Sequence, residues 1–154
     1  MIALTFLPDL LVFQQQNALD YEVKGIEFTL NQNWSSGSIK GGYTWHAHGG
    51  KHEFFSPKHI AKLNLENRFL ENRLSLALNW QFTGKRLTRS NENLGSFHMG
   101  RFYAYWQWHE RSRLALNINN LLDRAYSQPV TVGSAQEALP QDGPSLALTF
   151  EIEF

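Results

Sequence analysis

Apolar and polar residues alternate with period two along most of this chain. Leu74, Leu76, Leu78, Trp80 and Phe82 are separated by Ser75, Ala77, Asn79 and Gln81. On a helix these apolar residues would scatter around the axis, whereas on a strand they make one face. The carboxyl end repeats the pattern, with Leu146, Leu148, Phe150, Ile152 and Phe154 alternating with Ala147, Thr149, Glu151 and Glu153. Further alternating sets are Ile26/Phe28/Leu30, Ile39/Tyr43/Trp45/Ala47, Ala61/Leu63/Leu65, Phe102/Ala104/Trp106/Trp108 and Leu114/Leu116/Ile118. Ile2 to Phe13 is also strand-like, though less regular. The pattern predicts about eight strands, and no segment carries a helical period.

The connections alternate between short and long. Ser35–Gly37, Glu71–Asn72 and His109–Ser112 are short, whereas Gln14–Asp20, His48–Lys58, Lys85–Gly95 and Asp123–Pro144 are long. An antiparallel up-and-down meander gives this order, with turns at one rim and loops at the other. Transmembrane β-barrels have that asymmetry. Leu74 to Phe82 gives roughly 30 Å of strand, which a tilt of about 45° reduces to about 21 Å, near the height of a barrel's apolar band. Trp34, Phe69, Trp80, Phe82, Trp106, Trp108 and Phe154 fall near strand ends, where amphipathic rings suit the headgroup layer. A soluble sandwich also alternates. The expectation here is a barrel, whose water-filled lumen accepts inward-facing Glu, Asn, Lys, Gln and His on nearly every strand.

Composition narrows the chemistry. The 154 residues are 42% hydrophobic, 14% aromatic and 18% charged, with fourteen bases against fourteen acids. A neutral chain lacks the basic face that a nucleic-acid binder needs. There are no cysteines, which excludes disulfides, Cys-ligated zinc and thiol catalysis. No run reaches the ~20 apolar residues of a spanning helix. Met1 to Leu7 is apolar, but no base precedes it and no small-residue cleavage site follows, so an export signal is expected outside this sequence.

Candidate chemistry is sparse. His46 and His48 lie two apart on one strand face, with His52 in the adjoining long loop, a set able to hold a divalent metal or reach haem iron. The competing expectation is that these histidines are ordinary polar strand and loop residues. His109–Glu110 lacks the second histidine of a metalloprotease, and no nucleophile elbow or phosphate loop occurs. Glu27, Glu66, Glu151 and Glu153 are expected to join Lys40, Lys62, Arg68 and Arg101 in a solvated ionic network. No catalytic constellation and no cofactor site results, so the chain is not expected to be an enzyme.

Five segments, in order, resemble one family. Asn117–Ile118–Asn119–Asn120–Leu121–Leu122–Asp123–Arg124–Ala125–Tyr126 is similar to the penultimate strand and loop of TonB-dependent outer-membrane receptors, with Leu122 where phenylalanine is commoner. Gly25–Ile26–Glu27 resembles the Gly-hydrophobic-Glu that opens a strand in the same region. Ser56–Pro57–Lys58–His59 resembles a hairpin entry there, and Thr83–Gly84–Lys85–Arg86 its exit. Phe154 matches the terminal aromatic that outer-membrane proteins present to the barrel-assembly machinery. The resemblance implies that residues 1–154 are the carboxyl-terminal portion, about the last third, of a 22-stranded barrel with a plugged lumen. It also implies residence in the bacterial outer membrane in contact with lipid. The family takes up iron–siderophore, haem, cobalamin or similar nutrients, which meet the extracellular loops, using energy from TonB. The plug and the TonB-contacting segment lie towards the family's amino terminus, and nothing here matches them. Active transport by this chain alone is therefore not expected. The alternative is a small closed eight-stranded outer-membrane barrel with a structural or adhesive role.

Overall fold

The computed structural model describes residues 2–7, 12–17, 23–48, 55–130 and 134–154; of 2–7, 12–17 and His48 it describes the backbone alone. The described residues are all-β. The strands are β1 (Ile2–Leu7), β2 (Val12–Asn17), β3 (Val23–Trp34), β4 (Gly37–His48), β5 (His59–Phe69), β6 (Leu74–Thr83) and β7 (Arg86–Leu87). They continue as β8 (Asn93–Leu94), β9 (Phe97–His109), β10 (Ser112–Asn119), β11 (Ser127–Pro129), β12 (Ala138–Pro140) and β13 (Ser145–Ile152). No described helix is long and apolar enough to cross a membrane, which says nothing about strands.

Seven of these strands form one antiparallel sheet in the order β13-β10-β9-β6-β5-β4-β3. Each pairs with its neighbours along the chain, as the alternation of short and long connections predicts. The short turns fall at Ser35–Ser36, Leu70–Arg73 and Glu110–Arg111. Gly37 closes the first, because a Cβ there would collide with the Glu66 carbonyl and come within 2.9 Å of the Trp34 ring. Leu70, Glu71 and Asn72 all take left-handed φ, between 52° and 70°.

Two expectations are corrected. The amino-terminal segment is not one strand: β1 and β2 pair with each other in their own two-stranded sheet. Pro8 and Asp9 lie between the two, and they are the residues that break the alternation. Nor does the main sheet close as a small eight-stranded barrel. β3 and β13 are its two edges and do not pair with each other. Closure needs enough strands and enough tilt to bring the edges together, and seven strands here do not meet.

The register makes the sheet two-faced. Across its middle, Gln32, Ile39, Leu65, Leu78, Phe102, Ile118 and Leu146 are successive cross-strand partners. One residue away, on the opposite face, the partners are Asn31, Lys40, Asn64, Asn79, Arg101, Asn119 and Ser145. Six of seven are apolar in the first row and all seven are polar in the second. Among the described residues nothing packs on the apolar face at its edge strands, where Phe28 and Leu148 are each 63% exposed. The described residues that are buried are Thr83, Gly84, Arg86, Thr88, Phe97, Gly100 and Asn120, all at the long-loop end.

Gln32 apart, the polar groups on the apolar face keep to its ends. At the turn end Trp34 Nε1 donates to Asn67 Oδ1 at 2.8 Å, and Trp108 stacks on Phe150 with ring centres 5.3 Å apart. At the loop end His59 Nδ1 meets the Tyr43 hydroxyl at 2.8 Å, and His98 lies against Trp80 and Phe82. Amphipathic rings at both ends of an apolar band are the arrangement of interfacial girdles.

Candidate functional site

The sheet offers two places where chemistry can occur: its polar face and the loop layer at one end. On the polar face, Lys62, Asn64, Asn79, Gln81, Met99 and Arg101 line a shallow hollow of about 250 Å³. Arg101 Nε donates to Asn119 Oδ1 at 2.6 Å. Amides and cations exposed side by side suit water and polar solutes, and no group here is activated for covalent chemistry.

The expected ionic network has a different membership. The acids that pair are Glu151 and Glu153, and both do so with Arg113, at 3.9 and 3.1 Å. Among the described residues no ion pair joins Glu27 or Glu66 to Lys40, Lys62, Arg68 or Arg101. Strand geometry explains this: Arg113 and Glu151 are direct cross-strand partners, whereas Glu27 faces Thr44 and Glu66 faces Ser38 and Ala77.

Of the predicted histidines, His46 and His48 both lie on β4, opposite Gly25 and Val23. His46 donates its backbone N–H to the Lys58 carbonyl at 2.9 Å, and its ring lies over Gly25, where a Cβ would meet Nδ1 at 3.1 Å and the Trp45 carbonyl at 2.6 Å. That close approach gives the glycine of Gly25–Ile26–Glu27 its reason. The His48 side chain and all of His52 lie outside the described residues. No group of three metal-ligating side chains occurs among those described.

The loop layer is the most constructed part of the molecule. β7 and β8 pair as a short ribbon, as do β11 and β12, and side chains tie the two ribbons together. Arg86, 5% exposed, donates from Nη2 to the Ser127 carbonyl at 2.9 Å and from Nη1 to Gln128 Oε1. Its guanidinium lies 5.0 Å from the centre of the Phe97 ring, which stacks on Tyr126 at 4.2 Å. Arg89 pairs with Glu137 Oε1 at 3.2 Å, while the Ser90 amide donates to Glu137 Oε2 at 3.1 Å. The Ser90 amide, followed by Arg89, holds the Glu137 carboxyl below its ordinary range. Burial pulls the Arg86 guanidinium down, which still leaves it charged. The Phe55 amide bonds the Leu87 carbonyl at 3.0 Å, so the end of a third loop joins the layer.

Asn120 anchors the root of the last loop. It is 2% exposed, sits at φ 50°, accepts from the Arg124 amide at 3.0 Å and donates to the Arg124 and Asp142 carbonyls. The asparagine-rich segment noted in the sequence is therefore a loop clasp. Arg86 and Tyr126 stand in two separate segments of the family resemblance. That they meet around Phe97 was not visible, because a forty-residue separation carries no local signal.

An open antiparallel sheet with an apolar outer band, a polar opposite face and a knitted loop end is a section of a membrane-type β-barrel wall. The TonB dependent receptor-like, beta-barrel family matches residues 1–121, and the chain belongs to it. Solved structures share the fold. The siderophore receptor PiuA from Acinetobacter baumannii superposes with a TM-score of 0.74 at 21% identity, covering 86% of this chain and 22% of that one. The ferripyoverdine receptor of the outer membrane of Pseudomonas aeruginosa gives 0.70 at 18%, covering 86% and 19%. The ferric-catecholate import receptor Fiu from E. coli K12 gives 0.71 at 18%, covering 86% and 21%. This chain thus spans about a fifth of each of these relatives. No curated protein matches it.

Proposed function

We propose that residues 1–154 form the carboxyl-terminal portion of the barrel of an outer-membrane receptor that takes up a scarce nutrient with energy relayed through TonB. The two-faced sheet carries this reading: a row that is apolar on every strand but β3, backed by a wholly polar row, is what a wall between lipid and an aqueous lumen requires. Iron–siderophore is the favoured nutrient, since PiuA, Fiu and the ferripyoverdine receptor are siderophore or ferric-catecholate receptors; haem and cobalamin are the other members of the class. In this reading the knitted loops face outward and meet the ligand. Lipid covers the apolar face, Phe154 engages the barrel-assembly machinery, and contact with TonB belongs to amino-terminal parts of such a receptor. The protein acts by binding and passage and not by catalysis.

The test is uptake of radioiron-loaded catecholate and hydroxamate siderophores by cells that depend on the receptor carrying this sequence. Uptake of one class that stops when TonB is removed is expected. Unchanged uptake without TonB would sink the reading, as would a receptor recovered only from the soluble fraction.

A further inference from the structure

Arg86 is a buried permanent cation with no counter-ion among the described residues. Its partners among the described residues are a carbonyl, an amide oxygen and the Phe97 ring, all neutral, and its Nε is buried with no hydrogen-bond partner. Burying such a charge is costly unless an anion compensates it.

Beside it lies a hollow of about 480 Å³, between the entry to β5 and the β7–β8 ribbon. Lys85 and Arg86 line it together with Ser56, Ser96, Asn93 and His59, and none of its described lining residues is acidic. Lys85 is exposed, so its ammonium is available to a ligand. Ser56 at the entry to β5, and Asn93 and Ser96 at and after β8, bring hydroxyl and amide groups to the hollow from two further stretches of chain. Donors converging from several directions suit a tetrahedral oxyanion better than a planar carboxylate.

We propose that this hollow is a binding site for a phosphate group, with Lys85 contacting its oxygens and Arg86 supplying the buried compensating charge. The volume leaves room for the ester substituent of a phosphate monoester or diester. Two sources share this chemistry, a phosphorylated lipid headgroup of the surrounding membrane and a soluble phosphate. His59 and Phe82, which belong to the apolar face, also line the hollow and place it at the rim of the lipid-facing band. The inference does not depend on which nutrient the receptor carries.

The experiment uses the protein purified from outer membranes, with inorganic phosphate as probe and ³¹P line broadening as readout. Lys85→Ala is expected to weaken phosphate binding about tenfold, the loss of one charge-assisted contact. Arg86→Gln should abolish it. Because Arg86→Gln can also loosen the loops, its folding is checked by heat-modifiable electrophoretic mobility, and Lys85→Ala, at an exposed position, carries the test by itself. Native mass spectrometry separates the sources: a phosphate-bearing lipid retained by the wild type and lost in Lys85→Ala assigns the site to a headgroup. Phosphate binding with no retained lipid assigns it to a soluble phosphate. Absence of phosphate binding to the folded wild type overturns the proposal, as does equal affinity in wild type and Lys85→Ala.

Discussion

Asn120 has three demands placed on one side chain. It must accept a left-handed backbone, stay buried, and satisfy both the N–H of Arg124 and two carbonyls. Asparagine tolerates left-handed φ better than other non-glycine residues and carries both a donor and an acceptor. Asn120→Ala should therefore cost about 1–3 kcal/mol, from unsatisfied buried groups and backbone strain. Asn120→Gly relieves the strain alone and should recover only part of it. Hydrogen exchange at the Arg124 amide measures both. Glu137 makes a different kind of prediction. The Ser90 amide and Arg89 depress its carboxyl, so the ribbon-to-ribbon contact is fully present above the ordinary carboxylate range and is lost as pH falls through the depressed value. Exchange of the Ser90 amide should stay slow through the ordinary carboxylate range and quicken only below it. Glu137→Gln should remove that pH dependence.

Strands of eight or more residues were legible in the sequence because each carries several alternations. β6 is the clearest, and its observed span of Leu74–Thr83 extends the alternating run by a single residue. β3 and β9 extend beyond their alternating cores, to Val23–Trp34 and Phe97–His109, because ladder pairing continues where the apolar face ends. The two- and three-residue ribbons β7–β8 and β11–β12 were not legible, since ladders that short have no period to detect. Nor was the Arg86 cluster, whose members come from three separate stretches. The faces of β6 can be tested directly. Leu76→Arg places a cation on the apolar face and should cost about 2–4 kcal/mol near the middle of a bilayer, whereas Ala77→Arg, on the polar face, should cost much less. Denaturant unfolding in lipid vesicles measures the pair, and equal costs would contradict the assignment of faces.

At the scale of the molecule, the sheet is open and its exposed edges dictate its company. β3 and β13 each present unpaired backbone groups along one side, and hydrocarbon offers them no hydrogen-bond partner. An eight-residue edge such as β13 is stable in lipid only when another strand pairs with it, which is how a larger barrel resolves the problem. The apolar face alone does not decide between lipid and a second protein layer. Nor does the polar face opposite, since a barrel lumen and the outer side of a sandwich would both leave Lys40, Asn64, Asn79 and Arg101 to water; what the apolar face meets decides it. In a barrel wall, adjacent residues of one strand see lipid and water alternately. Spin labels at Leu78 and Asn79, and at Leu148 and Thr149, measure this in the protein held in native outer-membrane vesicles. Relaxation at Leu78 and Leu148 by dissolved oxygen, and at Asn79 and Thr149 by a water-soluble nickel chelate, is the predicted result. Nickel access at all four positions, or exclusion of both reagents from Leu78 and Leu148 as in a dry protein core, would contradict it.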